Sequence, residues 1–320
     1  MARGPLFEEK YRPLFSGHET FPLRYGWLKK AFDAVTSSRS PKESKQLFLD
    51  DKAISEFGVG RNMVASIRHW ATCCGVIEET EDGQGLIPTA FGNRLFGPQG
   101  FDPYLEDRAS LWLLHWNLCS GCVEPIKTTW FWAFSHFPNT QFRREDFVIG
   151  LMKLADSRSW SRVSKSTVQR DVECFVRTYE AQTTGVAGLV EDCLESPLAE
   201  LGLIKGHKGN FQFLRGEQSS LTDSAFALAL DDFWQSYGTS RTLSFEAIAY
   251  APGSPGRVFL LDESGLAVRL LRLEDVTNGH LRWSETAGLK QVLRDEPLSQ
   301  RVRNSLLGEN YRSLRKAHAA

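Results

Sequence analysis

A histidine and an acid stand side by side in Phe15-Ser16-Gly17-His18-Glu19-Thr20-Phe21-Pro22-Leu23-Arg24, between apolar anchors and just ahead of a helix. An imidazole in such a cluster can act as a general base or contact a phosphate, and the neighbouring carboxylate can orient it or bind a metal ion. The same residues suit a structural task, with Glu19 or Thr20 capping the helix and His18 bonding backbone. Metal-dependent cleavage of a phosphodiester needs clustered carboxylates, usually with a lysine, to hold Mg²⁺ and activate water. Asp33, Glu43, Ser44 and Lys45 supply those residue types, but Asp33 falls on a helix and the others in a polar loop. Glu145-Asp146, Glu191-Asp192 and Asp231-Asp232 fall at helix starts or on surfaces, where solvation of charge explains them. Cys119-Ser120-Gly121-Cys122 with Cys73-Cys74 has the thiols for a zinc site, yet adjacent side chains on one helix point about 100° apart. With no secretory leader in view, the six cysteines read as free thiols. Nucleotide loops are missing too: Gly58-Val59-Gly60 lacks both a third glycine and a preceding strand.

Residues that meet a nucleic acid need elements to hold them, and two stretches have that order. Leu23 to Val35 reads as a helix, Thr36 to Lys45 as a Ser-rich loop, Asp50 to Phe57 as a short helix, and Gly58-Val59-Gly60 as a tight turn. Arg61 to Cys74 then resumes helical spacing, with Val64, Ile67, Trp70 and Ala71 forming an inward stripe. Asn62, Ala65 and His69 lie opposite, flanked by Arg61 and Arg68. Val76 to Thr89 reads as a hairpin, which completes the order of a winged helix-turn-helix. Arg143 to Asp156 and the helix after Ser157 to Val163 repeat the pattern, Ser166 and Gln169 having capping-box spacing. Lys165, Thr167, Gln169, Arg170 and Glu173 face outward there. The Leu203 to Phe213 hairpin carries Lys205, His207 and Lys208 at its turn. A helix fits the major groove of B-DNA, Asn and Gln match adenine, Arg and Lys match guanine or phosphate, and a basic wing holds the backbone. A purely protein-binding role for either unit stays open, with these charges forming a solvated face.

The stretch Phe57-Gly58-Val59-Gly60-Arg61-Asn62-Met63-Val64, with Pro88-Thr89-Ala90-Phe91-Gly92, Asp102-Pro103-Tyr104-Leu105-Glu106-Asp107 and the His18 segment, resembles a family first defined only as a domain of unknown function. Its genes lie in bacterial DNA phosphorothioation and phage-defence loci, and it is the family of the SspB-like DNA nickases. The resemblance spans most of residues 15 to 300. It implies nicking of one strand of duplex DNA where a phosphate oxygen is to be replaced by sulfur, alongside a desulfurase, an ATPase and a sulfurtransferase-like partner. It places no catalytic residue on this chain. If the nick occurs, Mg²⁺ and in-line attack at phosphorus are the default mechanism, with His18, Glu19 and Asp107 the candidate catalytic residues. The DNA-binding candidates are Arg61, Asn62, Arg68, His69, Lys165, Thr167, Gln169, Arg170, Lys205 and Lys208. A homodimer is expected by analogy with helix-turn-helix proteins that pair over half-sites. The alternative is a non-enzymatic winged-helix regulator or target-recognition scaffold.

Composition frames these expectations. With 320 residues, 42% of them apolar, the chain can bury sizeable cores, and the Trp and Phe excess of Trp130, Phe131, Trp132, Phe134 and Phe137 reads as packing more than as a stacking surface. The fold class expected is mainly α with small β-hairpins: a winged helix-turn-helix in 1–100, an aromatic-rich helical connector in 101–140, a second winged unit in 141–240, and a small helical region with a strand pair and basic tail in 241–320. Within the connector, Tyr104 to Leu118 is apolar around most of its circumference and reads as a buried helix. Leu111 to Leu118 is broken by His115 and Asn117 well short of a bilayer span, so a cytoplasmic protein is expected. A net charge of −1 excludes a general cloak of positive charge but not local basic faces.

Overall fold

The computed structural model describes residues 4–180, 196–286 and 288–311. Glu191-Asp192, Cys193 and the tail residues Arg312, Arg315 and Lys316 lie outside them. The chain opens with α1 (Trp27–Ser37), α2 (Pro41–Leu47), α3 (Lys52–Phe57), α4 (Arg61–Cys73), the antiparallel pair β1 (Ile77–Glu79) and β2 (Leu86–Pro88), and α5 (Ala90–Phe96). Gly58 at φ 65° turns the chain between α3 and α4, a left-handed conformation that glycine adopts without a Cβ clash. Val64, Ile67, Trp70 and Ala71 are buried as their spacing predicts. The Ser-rich stretch departs from expectation. Ser40 accepts the Glu43 N–H, Pro41 occupies the first turn, and residues from 41 on form α2 rather than a loop. Ser44 is buried, its hydroxyl bonding Pro41 O and Leu86 O, which ties α2 to the hairpin. Asp33 pairs with Lys29 and Lys45 with Glu79, so these residues serve the scaffold.

α6 (Arg108–Cys119) and α7 (Thr128–Ser135) form the centre of the molecule. The former is buried on nearly all sides, and Trp130, Phe131 and Phe134 are sealed in core packing. Next come β3 (Gln141–Phe142), α8 (Arg144–Ser157), α9 (Lys165–Tyr179), β4 (Ile204–His207) and β5 (Asn210–Phe213), with strand order β3-β5-β4. Ser164, not Ser166, caps α9 by accepting the Thr167 N–H.

The C-terminal part contains α10 (Asp223–Tyr237), β6 (Thr242–Ser244), α11 (Phe245–Tyr250), α12 (Pro255–Val258), α13 (Glu263–Val276), β7 (Arg282–Thr286), β8 (Leu289–Leu293) and α14 (Gln300–Glu309). Strand β6, unexpected from sequence, pairs Thr242 with Leu293 and makes the order β6-β8-β7, which repeats that of the preceding sheet. Asp231 is also a correction. It is wholly buried rather than on a surface, because α10 packs on α14 and Arg294, Arg303, Gln235 and the Leu298 N–H all bond its carboxylate. One continuous apolar core joins all these parts, from Leu6 to Tyr311. The fold is mainly helical with small antiparallel sheets, and among the described residues no helix is long and apolar enough to cross a membrane.

Candidate functional site

His18 itself does not lie on the surface, although Ser16, Glu19 and Thr20 around it are exposed. It is wedged between α4 and α9, with Glu19, Thr20 and Gly17 all at positive φ as the chain turns. Phe21 O accepts the indole N–H of Trp70 on α4 at 3.0 Å and the thiol of Cys174 on α9 at 3.4 Å. Ser66 on α4 donates to His18 O at 3.0 Å, and Arg177 on α9 to Thr20 O at 3.4 Å. These bonds fasten two helices that are about 100 residues apart in sequence to one short loop.

At the centre of the wedge, His18 Nε2 lies 2.9 Å from Asp171 Oδ1, and Lys127 Nζ lies 2.8 Å from the same oxygen. The three side chains are 3%, 0% and 0% exposed, so these charges lie out of reach of bulk solvent. Thr20 N donates to His18 Nδ1 at 3.0 Å, which leaves the proton on Nε2 to donate to the carboxylate. Burial alone would raise the Asp171 carboxyl; the Lys127 charge and the His18 hydrogen bond more than offset it and hold it at about 2. Lys127 Nζ also lies 4.9 Å from the centre of the Trp130 ring, a cation–π contact. His69 of α4 turns toward this cluster, its ring 6.1 Å from that of His18 and edge-on to it. Burial, then the charge of Lys127, keeps its imidazole well below the usual range and so neutral. Chemically the cluster is a closed Lys127–Asp171 ion pair with the His18 imidazole hydrogen-bonded to the same carboxylate oxygen. Its second carboxylate oxygen, Asp171 Oδ2, is buried without a hydrogen-bond partner among the described residues.

Of the candidate catalytic residues, Glu19 is exposed beside the buried His18. Asp107 is elsewhere, capping α6 by accepting the Ala109 N–H at 2.8 Å, and it takes no part in the wedge. On α4, Asn62 is exposed, Arg68 is half-buried, and Arg61 reaches back to Asp51. His69 faces the core side, a correction to the outward position that its sequence spacing predicts. On α9, Lys165, Gln169 and Arg170 are exposed, and Thr167 is half-buried with its hydroxyl on Ser164. Lys205, His207 and Lys208 lie on the β4–β5 hairpin and are exposed. Lys165, Arg170, Lys205 and Lys208 make no ion pair among the described residues, whereas Glu173, the outward acid of α9, is engaged by Arg144 at 2.6 Å. Cys73, Cys74 and Cys119 are buried free thiols that burial pushes upward, Cys73 to about 12. Among the described residues no three His, Cys, Asp or Glu side chains gather as a metal site.

Sequence reasoning missed Lys127 and Asp171. The one signal was a charged residue on each of two apolar stretches: Lys127 before Thr128 to Phe134, and Asp171 beside Val168 and Val172.

Residues 15–311 match the family described as a protein of unknown function, DUF4007. The chain belongs to this family. No curated protein matches it. It is similar to the crystal structure of magnesium ion-bound SspB, with 29% identity and a TM-score of 0.79, over 93% of this chain and 88% of the other. A second SspB crystal structure is similar at 28% identity and the same TM-score, over 96% and 90% of the two chains. This member of the family is thus SspB-like along almost its whole length, and the His18 wedge, α4 and α9 all fall within the matched region.

Proposed function

We propose that this chain is the DNA-contacting component of a bacterial DNA phosphorothioation system active in phage defence. In this reading the α1–β2 and β3–β5 regions are two winged helix-turn-helix units. The outward faces of α4 and α9 enter grooves of duplex DNA, and the β4–β5 hairpin rests on the backbone. The observation that carries it is the set of exposed cations Lys165, Arg170, Lys205 and Lys208, none with an acidic partner among the described residues. In a chain of net charge −1, cations kept clear of acids are suited to phosphates. Asn62 on α4 and Gln169 on α9 are exposed too, as the reading of base edges requires. The working form is a cytoplasmic homodimer that acts with a desulfurase, an ATPase and a sulfurtransferase-like protein.

The test is binding of the purified chain to a fluorescent duplex across a salt series. Each phosphate that the protein ceases to neutralise should flatten the log–log salt slope by about 0.9. Substituting Lys165, Arg170, Lys205 and Lys208 together by alanine should flatten it by roughly 3 to 4 and leave folding intact. Unchanged affinity would refute the placement, and a monomer by light scattering would remove the dimer.

A second reading, strand nicking, is favoured by the magnesium ion in the similar SspB structure. The buried cluster does not fit such an ion, because the Lys127 ammonium already sits on Asp171 Oδ1 where a divalent cation would need the carboxylate. Any nick would draw on other groups, with exposed Glu19 and the half-buried helix cap Asp107 the acids among the three candidates. Relaxation of supercoiled plasmid in Mg²⁺, abolished by EDTA, would establish it; binding without nicked circles would leave the DNA-contacting role alone.

A further inference from the structure

A second site lies away from α4 and the wedge, where α7 and β5 meet α11, α12 and α13. There a cavity of about 420 Å³ is walled by Phe134, Phe137, Phe213, Leu260, Leu261 and Leu266, with the guanidinium groups of Arg215 and Arg257 among its lining. Neither arginine makes an ion pair among the described residues. Each spends only one nitrogen on the protein: Arg215 Nη1 donates to Leu261 O at 2.8 Å and Gly256 O at 3.4 Å, and Arg257 Nη2 to Phe137 O at 3.1 Å. The remaining N–H groups have no protein acceptor among the described residues, and the Arg257 Nε is buried without one. Two acids are at hand but committed. Asp262 caps α13 through the Gly265 N–H, and Glu263 accepts the Tyr250 hydroxyl. Neither forms an ion pair with the cations: burial, then the charge of Arg215, holds Arg257 down at about 10 with no acid opposing it, while burial also lowers Arg215 against a partial pull from the nearby Asp262 charge.

Two guanidiniums that line one aromatic-walled cavity, neither of them in an ion pair among the described residues, are an arrangement that an anion would complete. Guanidinium forks match the oxygens of a phosphoryl group bidentately, and the volume falls in the range that holds one small molecule. The phenylalanine walls suit a flat apolar body attached to that anion, and the rim carboxylates suit its amino hydrogens. We infer that this cavity is a binding site for a nucleoside monophosphate, either free or as the phosphorylated terminal nucleotide of a DNA strand. The site does not depend on the proposed reading of DNA by α4 and α9.

The test is calorimetric titration of the full chain with deoxyadenosine monophosphate, with deoxyadenosine, and with a short oligonucleotide bearing or lacking a terminal phosphate. Binding of the free monophosphate, absent for the nucleoside, supports the free ligand. Binding confined to the phosphorylated oligonucleotide supports the strand end. Arg257→Gln should weaken either by roughly tenfold or more. Arg215→Gln, at a more exposed position, should do the same with an unchanged melting curve, so a misfolded Arg257 variant would not decide the matter. No binding of any probe up to ~1 mM, equal binding of the nucleoside, or full affinity in Arg215→Gln would overturn the inference.

Discussion

Replacing Lys127 by methionine isolates the energetics of the wedge. The lysine is wholly buried with its ammonium 2.8 Å from Asp171 Oδ1, and the partner carboxyl stands at about 2 instead of 3.8. That depression corresponds to about 2 kcal/mol in favour of the charged carboxylate, net of the opposing cost of burial. Lys127→Met keeps the volume but leaves the carboxylate with one imidazole N–H, and removing one partner of a buried pair costs about 3–5 kcal/mol. At about 2 °C per kcal/mol, the melting temperature at pH 7 should fall by roughly 6–10 °C. Adding Asp171→Asn removes the orphaned charge and preserves an acceptor for His18, so the double variant should recover at least half of the loss. The pH dependence has a definite sign. A carboxyl whose folded value is depressed contributes in full above 3.8, and that contribution is lost as pH falls toward 2. Thermal melts of wild type, single and double variants at pH 7 and pH 3.5 give the comparison. A single variant melting within ~2 °C of wild type, or a double variant no better than the single, would refute the account of the cluster as a mutually dependent pair.

Other consequences are equally direct. His115 is buried, with one ring nitrogen on Tyr179 Oη and the other on Val258 O, and burial pushes it down to about 4. Its neutral form is required by the fold, so about 3 kcal/mol of stability should disappear as pH falls from 6.5 to 4, and His115→Gln should flatten that part of a stability–pH curve. Gly17 has φ 99°, and an added Cβ would lie 2.4 Å from His69 Nδ1. Gly17→Ala should therefore cost about 2 kcal/mol or more in chemical denaturation, against little effect for an alanine at exposed Ser16. Arg303 bonds both Asp231 and Asp232, so Arg303→Met should destabilise by about 3 kcal/mol; a melt equal to wild type would show α14 docking to be independent of that network.

Much of the scaffold was legible because its signals are local. The apolar stripe of α4, the helices Arg144–Ser157 and Lys165–Tyr179, and the hairpins ending at Pro88 and Phe213 follow from periodicity and turn residues within a dozen positions. The buried helix at 108–119 was visible in the apolar residues around its circumference. What stayed hidden depends on partners far along the chain. His18 meets Asp171 across 153 positions, and Asp231 meets Arg303 across 72. No spacing rule reports such pairs. A lone Asp on an apolar helix reads as a surface residue until its lysine is found. His69 was misplaced for a related reason: helical periodicity assigns a face only against one neighbour, and α4 packs on the His18 loop as well as on α1. Strand β6, three residues long, is held chiefly by its pairing with β8, and so left no pattern of its own.

The loop from Phe15 to Leu23 gives the proposed DNA-contacting role a geometric limit. Because one carbonyl, Phe21 O, is shared by Trp70 and Cys174, α4 and α9 behave as two marks on one ruler. B-DNA turns through roughly 34° per base pair, so a single inserted pair between two contacted subsites rotates one groove away from a head that cannot follow. Selectivity for spacing would then belong to one polypeptide, and footprints on spacer variants would report the rigidity of the wedge.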